Sequence, residues 1–477
     1  MKWRFRTGIK MAAVALASAL PFLATESQAM PSFARQTGMV CNSCHIGTDV
    51  VPNFTRTGRL FAMRGYTRPM IREKLRQDGL TTDGEPQYGG DYISLNMLDF
   101  FAMRMVSEFV QQAKLNGEWQ TATSRPMARV AMFYTGPITD WLGLWNELAY
   151  LGNNSINSVT VGNTGPTGLN FYAYDEFRLS TSRAIGSNSF VGMSFGNEPG
   201  DVVTQFVFPI GIPRMFSLGQ GGVGRFMEMA TLSFHGLFDD RLWLQFAPNT
   251  GVTNNRIGDG WQQYYAIAYN LFRQTENDLW LGLEYSRGND NASILTPTKS
   301  SFICPTTCPP GVTDSQLSFS NTLGGRPVAG APVERVDKFR TYSWRVEWAV
   351  ADRGPHTWLA MLQGSGTKQD YVSGASAKRN LAGAYIRYFF MRTYGIEAAI
   401  YRDFNYKYTT PTGNEVDFGK FTGKVLQLMW NPAMNVSFHL RWTPNARQAV
   451  YTEGSSAGIP LSPNVTSSYN IGMEYSF

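Results

Sequence analysis

The sequence predicts an all-β chain: an antiparallel transmembrane β-barrel of about sixteen strands, preceded by a small, mainly helical or irregular module acting as its plug. Three observations carry this expectation. From about residue 91 onward, strand-like segments of roughly ten residues recur, with apolar and polar side chains alternating. Short and long connections between them take turns along the whole region. Before residue 91 the text has a different character and carries a compact cysteine–histidine motif.

The chain opens with a leader, residues 1–29. Lys2, Arg4, Arg6 and Lys10 precede the apolar run Met11–Leu23 and the small-residue site Ser27-Gln28-Ala29, the pattern of a secretory signal peptide. That run is too short to span a bilayer as a helix, and no later stretch approaches ~18 continuous apolar residues, so no transmembrane helix is expected. The chain has 42 Lys and Arg against 36 Asp and Glu; without the four basic and one acidic residue of the leader, 38 face 35. So small a surplus excludes a general nucleic-acid binder.

Residues 30–90 form the second element. Cys41-Asn42-Ser43-Cys44-His45 is the C-x-x-C-H pattern of c-type haem attachment. Two thiols, Cys41 and Cys44, add to the two vinyl groups of one porphyrin, and His45 is carried under the iron as proximal ligand. A redox-active C-x-x-C would need a surrounding βαβ pattern, and a zinc site would need a second pair nearby. Residues 30–234 hold no second histidine, so a methionine is the natural local candidate for the distal position: Met63, with Met70 close behind. Met63 packing on the haem edge, with water or a barrel residue such as His439 in the sixth position, stays open. Between Arg56 and Arg76 stand Arg56, Arg59, Arg64, Arg68, Arg72, Lys74 and Arg76 against Glu73 alone. Haem propionates need such cationic partners, although a solvated helical face has the same composition.

Residues 91–477 are the barrel. In Lys338–Val350, Tyr342, Trp344, Val346, Trp348 and Val350 point one way, while Thr341, Ser343, Arg345 and Glu347 point the other. Segments around Leu279–Ser286, Val436–Trp442 and Tyr469–Phe477 alternate alike. Short links are expected at Thr135–Asp140, Ser182–Ser187, Gly236–Asp240, Arg273–Asp278, Ala351–His356, Met391–Thr393 and Asn431–Asn435. Long ones are expected at Leu151–Asn170, Asn197–Gly224, Pro248–Gly260, Arg287–Asp337, Ser365–Arg379, Asp403–Phe421 and Pro444–Ser467, as for periplasmic turns and extracellular loops. A first strand near Tyr92–Val110 closes the count at sixteen, with Val202–Pro209 belonging either to the fifth strand or to a loop. Trp141, Tyr150, Tyr264, Tyr265, Trp430 and Trp442 lie near strand ends, as interfacial girdles do. Cys304 and Cys308 in the longest connection are expected to close a small disulfide rather than a metal site. Inward carboxylates Glu147, Glu284, Glu347, Glu397 and Glu474 are read as lumen-solvated groups paired with Arg345 or Arg441, more than as cation ligands.

Ala34-Arg35-Gln36-Thr37-Gly38-Met39-Val40-Cys41-Asn42-Ser43-Cys44-His45, then Gly58-Arg59-Leu60-Phe61 and Gly65-Tyr66, resemble the fused monohaem cytochrome–porins of iron-oxidising bacteria. The resemblance is specific over Pro31–Thr67 and architectural across the barrel. It implies a protein of the Gram-negative outer membrane, embedded in its lipid, that oxidises extracellular Fe(II) and passes electrons inward to a periplasmic c-type cytochrome. It also implies one haem c held by Cys41 and Cys44 and ligated by His45. A single C-x-x-C-H excludes a multihaem wire. Other readings stay open: a solute porin whose haem plug gates or senses redox state, electron uptake from a different donor, or a haem peroxidase with an open sixth position.

Overall fold

The computed structural model describes residues 32–33, 43–46, 54–67, 101–115, 118–122, 125–139, 141–151, 170–186, 188–196, 231–253, 256–272, 277–294, 335–351, 355–371, 374–409, 411–417, 422–433, 435–444 and 465–476. The leader, Cys41, Met70, Val202–Pro209 and the Cys304/Cys308 pair lie outside these residues, as does the start of the expected first strand.

Helix α1 (Arg56–Met63) precedes β1 (Phe101–Leu115), β2 (Glu118–Ala122), β3 (Arg125–Tyr134), β4 (Gly136–Pro137), β5 (Leu142–Leu151), β6 (Asn170–Thr181), β7 (Arg183–Ala184), β8 (Phe190–Gly196), β9 (Thr231–Phe238) and β10 (Leu242–Thr253). The chain continues through β11 (Arg256–Asn270), β12 (Asn277–Ile294), β13 (Arg335–Val350), β14 (His356–Tyr371), β15 (Ser376–Phe390) and β16 (Tyr394–Thr409). It ends with β17 (Glu415–Asp417), β18 (Thr422–Ala433), β19 (Val436–Thr443) and β20 (Val465–Ser476). Of these twenty, β4 prolongs β3, β7 prolongs β6, and β2 and β17 are short add-ons to β1 and β16, leaving sixteen staves. Every pairing is antiparallel, and β1 pairs with both β3 and β20, with Arg104 opposite Ser476 at the seam. The sheet has no edge. Closure satisfies the backbone polar groups between strands, the condition for crossing lipid.

Period-two alternation decides which side each residue faces. On β12, Leu283 is 58% exposed while Trp280 is 2% exposed, and Glu284 and Ser286 are buried. Leu362, Ile386, Ile400, Leu428, Leu440 and Ile471 are likewise exposed on the outside of successive staves. A closed barrel with an apolar outside and a charged inside is a transmembrane protein of the outer-membrane type. Trp141, Tyr265, Trp430 and Trp442 are outward as expected, but Tyr264 is not: it is fully buried, and its hydroxyl donates to Glu284 Oε1 at 2.9 Å. Its register on β11, one residue from Tyr265, turns it to the lumen.

Of the seven expected short links, Gly236–Asp240 and Met391–Thr393 are described throughout, and the other five lie in part outside the described residues. Both are tight three-residue links between paired residues, Phe238 opposite Leu242 and Phe390 opposite Tyr394, with left-handed backbone at Asp239–Asp240 (φ 53° and 51°) and Met391–Arg392 (φ 49° and 58°). Two expected long loops are shorter than their composition suggested. Pro248–Gly260 is mostly ladder, with Gly251 opposite Gly260 and Thr253 opposite Arg256. Ser365–Arg379 is ladder as far as Asp370 opposite Ser376. Gly, Asn and Thr are read as loop formers, but a hairpin rising beyond the membrane is made of the same residues.

Candidate haem-bearing plug and its seat

The described N-terminal residues lie inside the barrel, against its wall at the short-turn end. Thr55 starts α1: its Oγ1 accepts from Gly58 N at 3.3 Å and donates to Ser43 O at 2.6 Å, while Thr55 N donates to Cys44 O at 2.9 Å. The helix cap thereby grips the motif. His45 bridges to Phe54 in antiparallel fashion, with ring centroids 5.4 Å apart. Cys44 and His45 are both half-buried. A Cβ on Gly58 would stand 2.1 Å from the Cys44 carbonyl oxygen, so only glycine lets α1 approach the motif this closely. At its other end the helix stops at Gly65 and Tyr66, both left-handed (φ 68° and 60°), with Gly65 N bonded to Ala62 O and Tyr66 N to Phe61 O.

An apolar cluster joins plug to wall. Phe54, Leu60, Phe61, Ala62, Met63 and Tyr66 pack with Phe190, Leu237, Trp243, Ala268 and Trp280. Met63 is fully buried within it. Tyr66 stacks on Phe33 (5.2 Å) and on Trp145 of β5 (5.3 Å). Close backbone approach completes the fit: a Cβ on Gly143 would lie 1.9 Å from the Gly65 carbonyl oxygen.

Charges fix the register. Arg59, 1% exposed, lies between Asp278 of β12 (Nε to Oδ2, 3.4 Å) and Glu347 of β13, with its guanidinium 5.6 Å from the Trp280 ring centre. Burial lowers the Arg59 pKa, and the Asp278 carboxylate opposes that by charge and hydrogen bond. Arg64 Nη2 donates to Asp240 Oδ1 at 3.0 Å, and Arg56 Nη1 donates to Phe272 O at 3.0 Å. Three of the basic residues read as propionate partners are therefore engaged by the barrel; Arg68, Arg72, Lys74 and Arg76 lie outside the described residues.

The five inward carboxylates are all buried. Glu347 meets Arg345 (3.7 Å) as well as Arg59, and Glu397 meets Arg387 (3.4 Å). Glu474 is gripped by Arg104, at 2.7 Å through Nε and 3.0 Å through Nη2, and Arg441 Nε donates to Gln427. Register allows the Arg104–Glu474 pair, because β20 borders β1 as well as β19. The described part of the motif has the donor chemistry that a c-type haem uses: a thiol and an imidazole stand on adjacent half-buried residues, held close to α1 where Gly58 has no side chain. Sequence reasoning missed Asp240 and Asp278 as anchors. The alternation of β12, which turns Trp280 and Glu284 inward, also turns Asp278 inward and was the available signal.

No family model matches the chain, and no curated protein does. Solved structures similar in shape include OmpT, an outer membrane protein of Vibrio cholerae, at 11% identity and TM-score 0.47, covering 79% of this chain and 96% of that one. An anion-selective porin from Comamonas acidovorans has 12% identity and TM-score 0.43, covering 79% and 98%. OprB of Pseudomonas putida has 10% identity and TM-score 0.44, covering 79% and 94%.

Proposed function

We propose that this outer-membrane barrel is a monohaem cytochrome–porin that takes electrons from extracellular Fe(II) and hands them to a periplasmic c-type cytochrome. The observation that carries the reading is the docking of the Cys44–His45 segment, through α1, on the inner wall at the short-turn end. A c-type haem bound there supplies a one-electron redox couple. The chain's own residues do the rest. Cys41 and Cys44 anchor the group, His45 ligates it, Gly58 and Thr55 hold the motif on α1, and Arg56, Arg59 and Arg64 hold α1 in the barrel. The apolar cluster around Phe61, Trp243 and Trp280 excludes water from this seat.

The balance is simple. One external Fe(II) gives up one electron and leaves as Fe(III), and one oxidised periplasmic cytochrome accepts it. Iron itself has no need to cross. The test is stopped-flow absorbance of the purified protein, followed by proteoliposomes with cytochrome c enclosed on the short-turn side. External Fe(II) is expected to reduce the haem and then the enclosed cytochrome. Free passage of small solutes with no haem reduction would replace this reading with a redox-gated porin.

A further inference from the structure

We propose that the outer wall of β12–β16 holds a multiply phosphorylated lipid of the outer leaflet, its headgroup on a row of basic residues and its acyl chains in the apolar groove below. The inference stands apart from the haem: it needs only an outer-membrane barrel with its long connections outside. Five neighbouring staves carry a basic residue at the same rung of the ladder. Arg287 is opposite Arg340, Arg340 opposite Lys368, Lys368 opposite Lys378, and Lys378 opposite Lys407. The row ends at Gln263 on β11 and Asp417 on β17. Arg287, Arg340, Lys368 and Lys378 are exposed, on the parity of the outward Leu283, Trp344, Leu362 and Ile386, and Lys407 opposite Lys378 is partly exposed. Like charges directly opposite one another repel, so the row destabilises the wall unless an anion sits on it. The chain's own carboxylates answer only part of it. Asp370 Oδ1 lies 3.1 Å from Lys368 Nζ, Glu415 pairs with Lys407, and Asp337 reaches Lys338 instead. Arg287 Nε donates to the neutral Gln263 Oε1 at 2.9 Å. Arg340 and Lys378 have no ion pair among the described residues.

Width and depth identify the occupant. Neighbouring staves lie about 4.8 Å apart, so the row spans roughly 19 Å. A single phosphate cannot reach across that width, whereas several phosphates on one headgroup can. The arginines offer flat forks for phosphate oxygens, and the lysines offer point charges. Two residues nearer the short turns, the next rung holds Tyr285, Tyr342, Gly366 and Asn380. Tyrosine belongs at a headgroup boundary. The Tyr342 ring lies over Gly366, where a Cβ would come within 2.2 Å of it. Farther down, the outer face turns apolar. Ala360, Ala384 and Ala398 line a groove with Trp348 and Trp442, and the exposed Lys424 also borders it. Alanines beside large rings leave room for acyl chains. A lipid without phosphates would leave the row unanswered, and free phosphate would leave the groove unfilled.

The test is native mass spectrometry of the full-length protein in detergent, with heat-modifiable mobility on gels as the check of folding. The probes are phosphorylated lipid A, the same lipid A after its phosphates are removed, and inorganic pyrophosphate. Wild-type protein is expected to bind phosphorylated lipid A about tenfold or more tightly than the dephosphorylated form. Arg340→Gln combined with Lys368→Gln and Lys378→Gln is expected to erase that preference, whereas Lys368→Arg with Lys378→Arg keeps it. Ala384→Trp, which fills the groove, is expected to weaken lipid A binding. Equal binding of the two lipids by the wild type overturns the proposal without recourse to any variant. Unchanged binding in the triple variant or in Ala384→Trp also overturns it. Full displacement of lipid A by pyrophosphate would make the row a free-phosphate site and reject the lipid. A lipid-free complex of two chains that the triple variant breaks would make the row an interface between copies, and reject it likewise.

Discussion

A methyl group on Gly58 would collide with the Cys44 carbonyl, 2.1 Å away. Gly58→Ala therefore forces α1 off the motif, at a cost of about 1–3 kcal/mol typical of overpacking. The expected result is a lower melting temperature for the plug and a smaller yield of haem-loaded protein, measured by staining per barrel. Replacing both Cys41 and Cys44 by Ala is expected to abolish the covalent stain while the barrel still assembles; persistence of the stain would reject the attachment site. Met63→Ala is expected to cost about 2–5 kcal/mol of packing in the plug cluster, read as earlier plug melting. At this scale the motif was plain in the text, because its C-x-x-C-H spacing is a short local pattern. The partners of Arg59 were not, because Asp278 and Glu347 stand more than two hundred residues away in the chain until the fold brings them to it.

The seat of α1 depends on ion pairs that span the chain. Arg59→Ala leaves Asp278 buried without its cation and Glu347 with Arg345 alone, and breaking such a buried pair typically costs about 3–5 kcal/mol. The plug is expected to loosen while the barrel persists. Liposomes containing this variant should pass small sugars faster than the wild type, and equal flux would reject the anchoring role. The staves themselves were readable because lipid outside and water inside impose a strict two-residue period, as β12 and β13 display. Loop lengths were less so. Pro248–Gly260 and Ser365–Arg379 have loop-like composition, yet backbone pairing across β10–β11 and β14–β15 continues through them. Composition reports propensity, and a hairpin already registered by its turn overrides it.

For the whole molecule, orientation follows from the link lengths. The short turns mark the periplasmic side, and α1 sits at that end beside Asp240 and Phe272. An epitope inserted at Ser315, in the long connection between β12 and β13, should be cleaved by protease on intact cells. One inserted at Gly354, in the short link between β13 and β14, should be protected. The reverse pattern would invert the barrel. The placement of Arg59 also sets an order of events in time. Its two partners lie on β12 and β13, more than two hundred residues later in the chain. Contacts so distant form slowly, after the staves between them are in register. The helix cannot seat until that part of the wall exists, so docking comes late in assembly, and the N-terminal segment travels as an undocked passenger until the wall is ready to receive it.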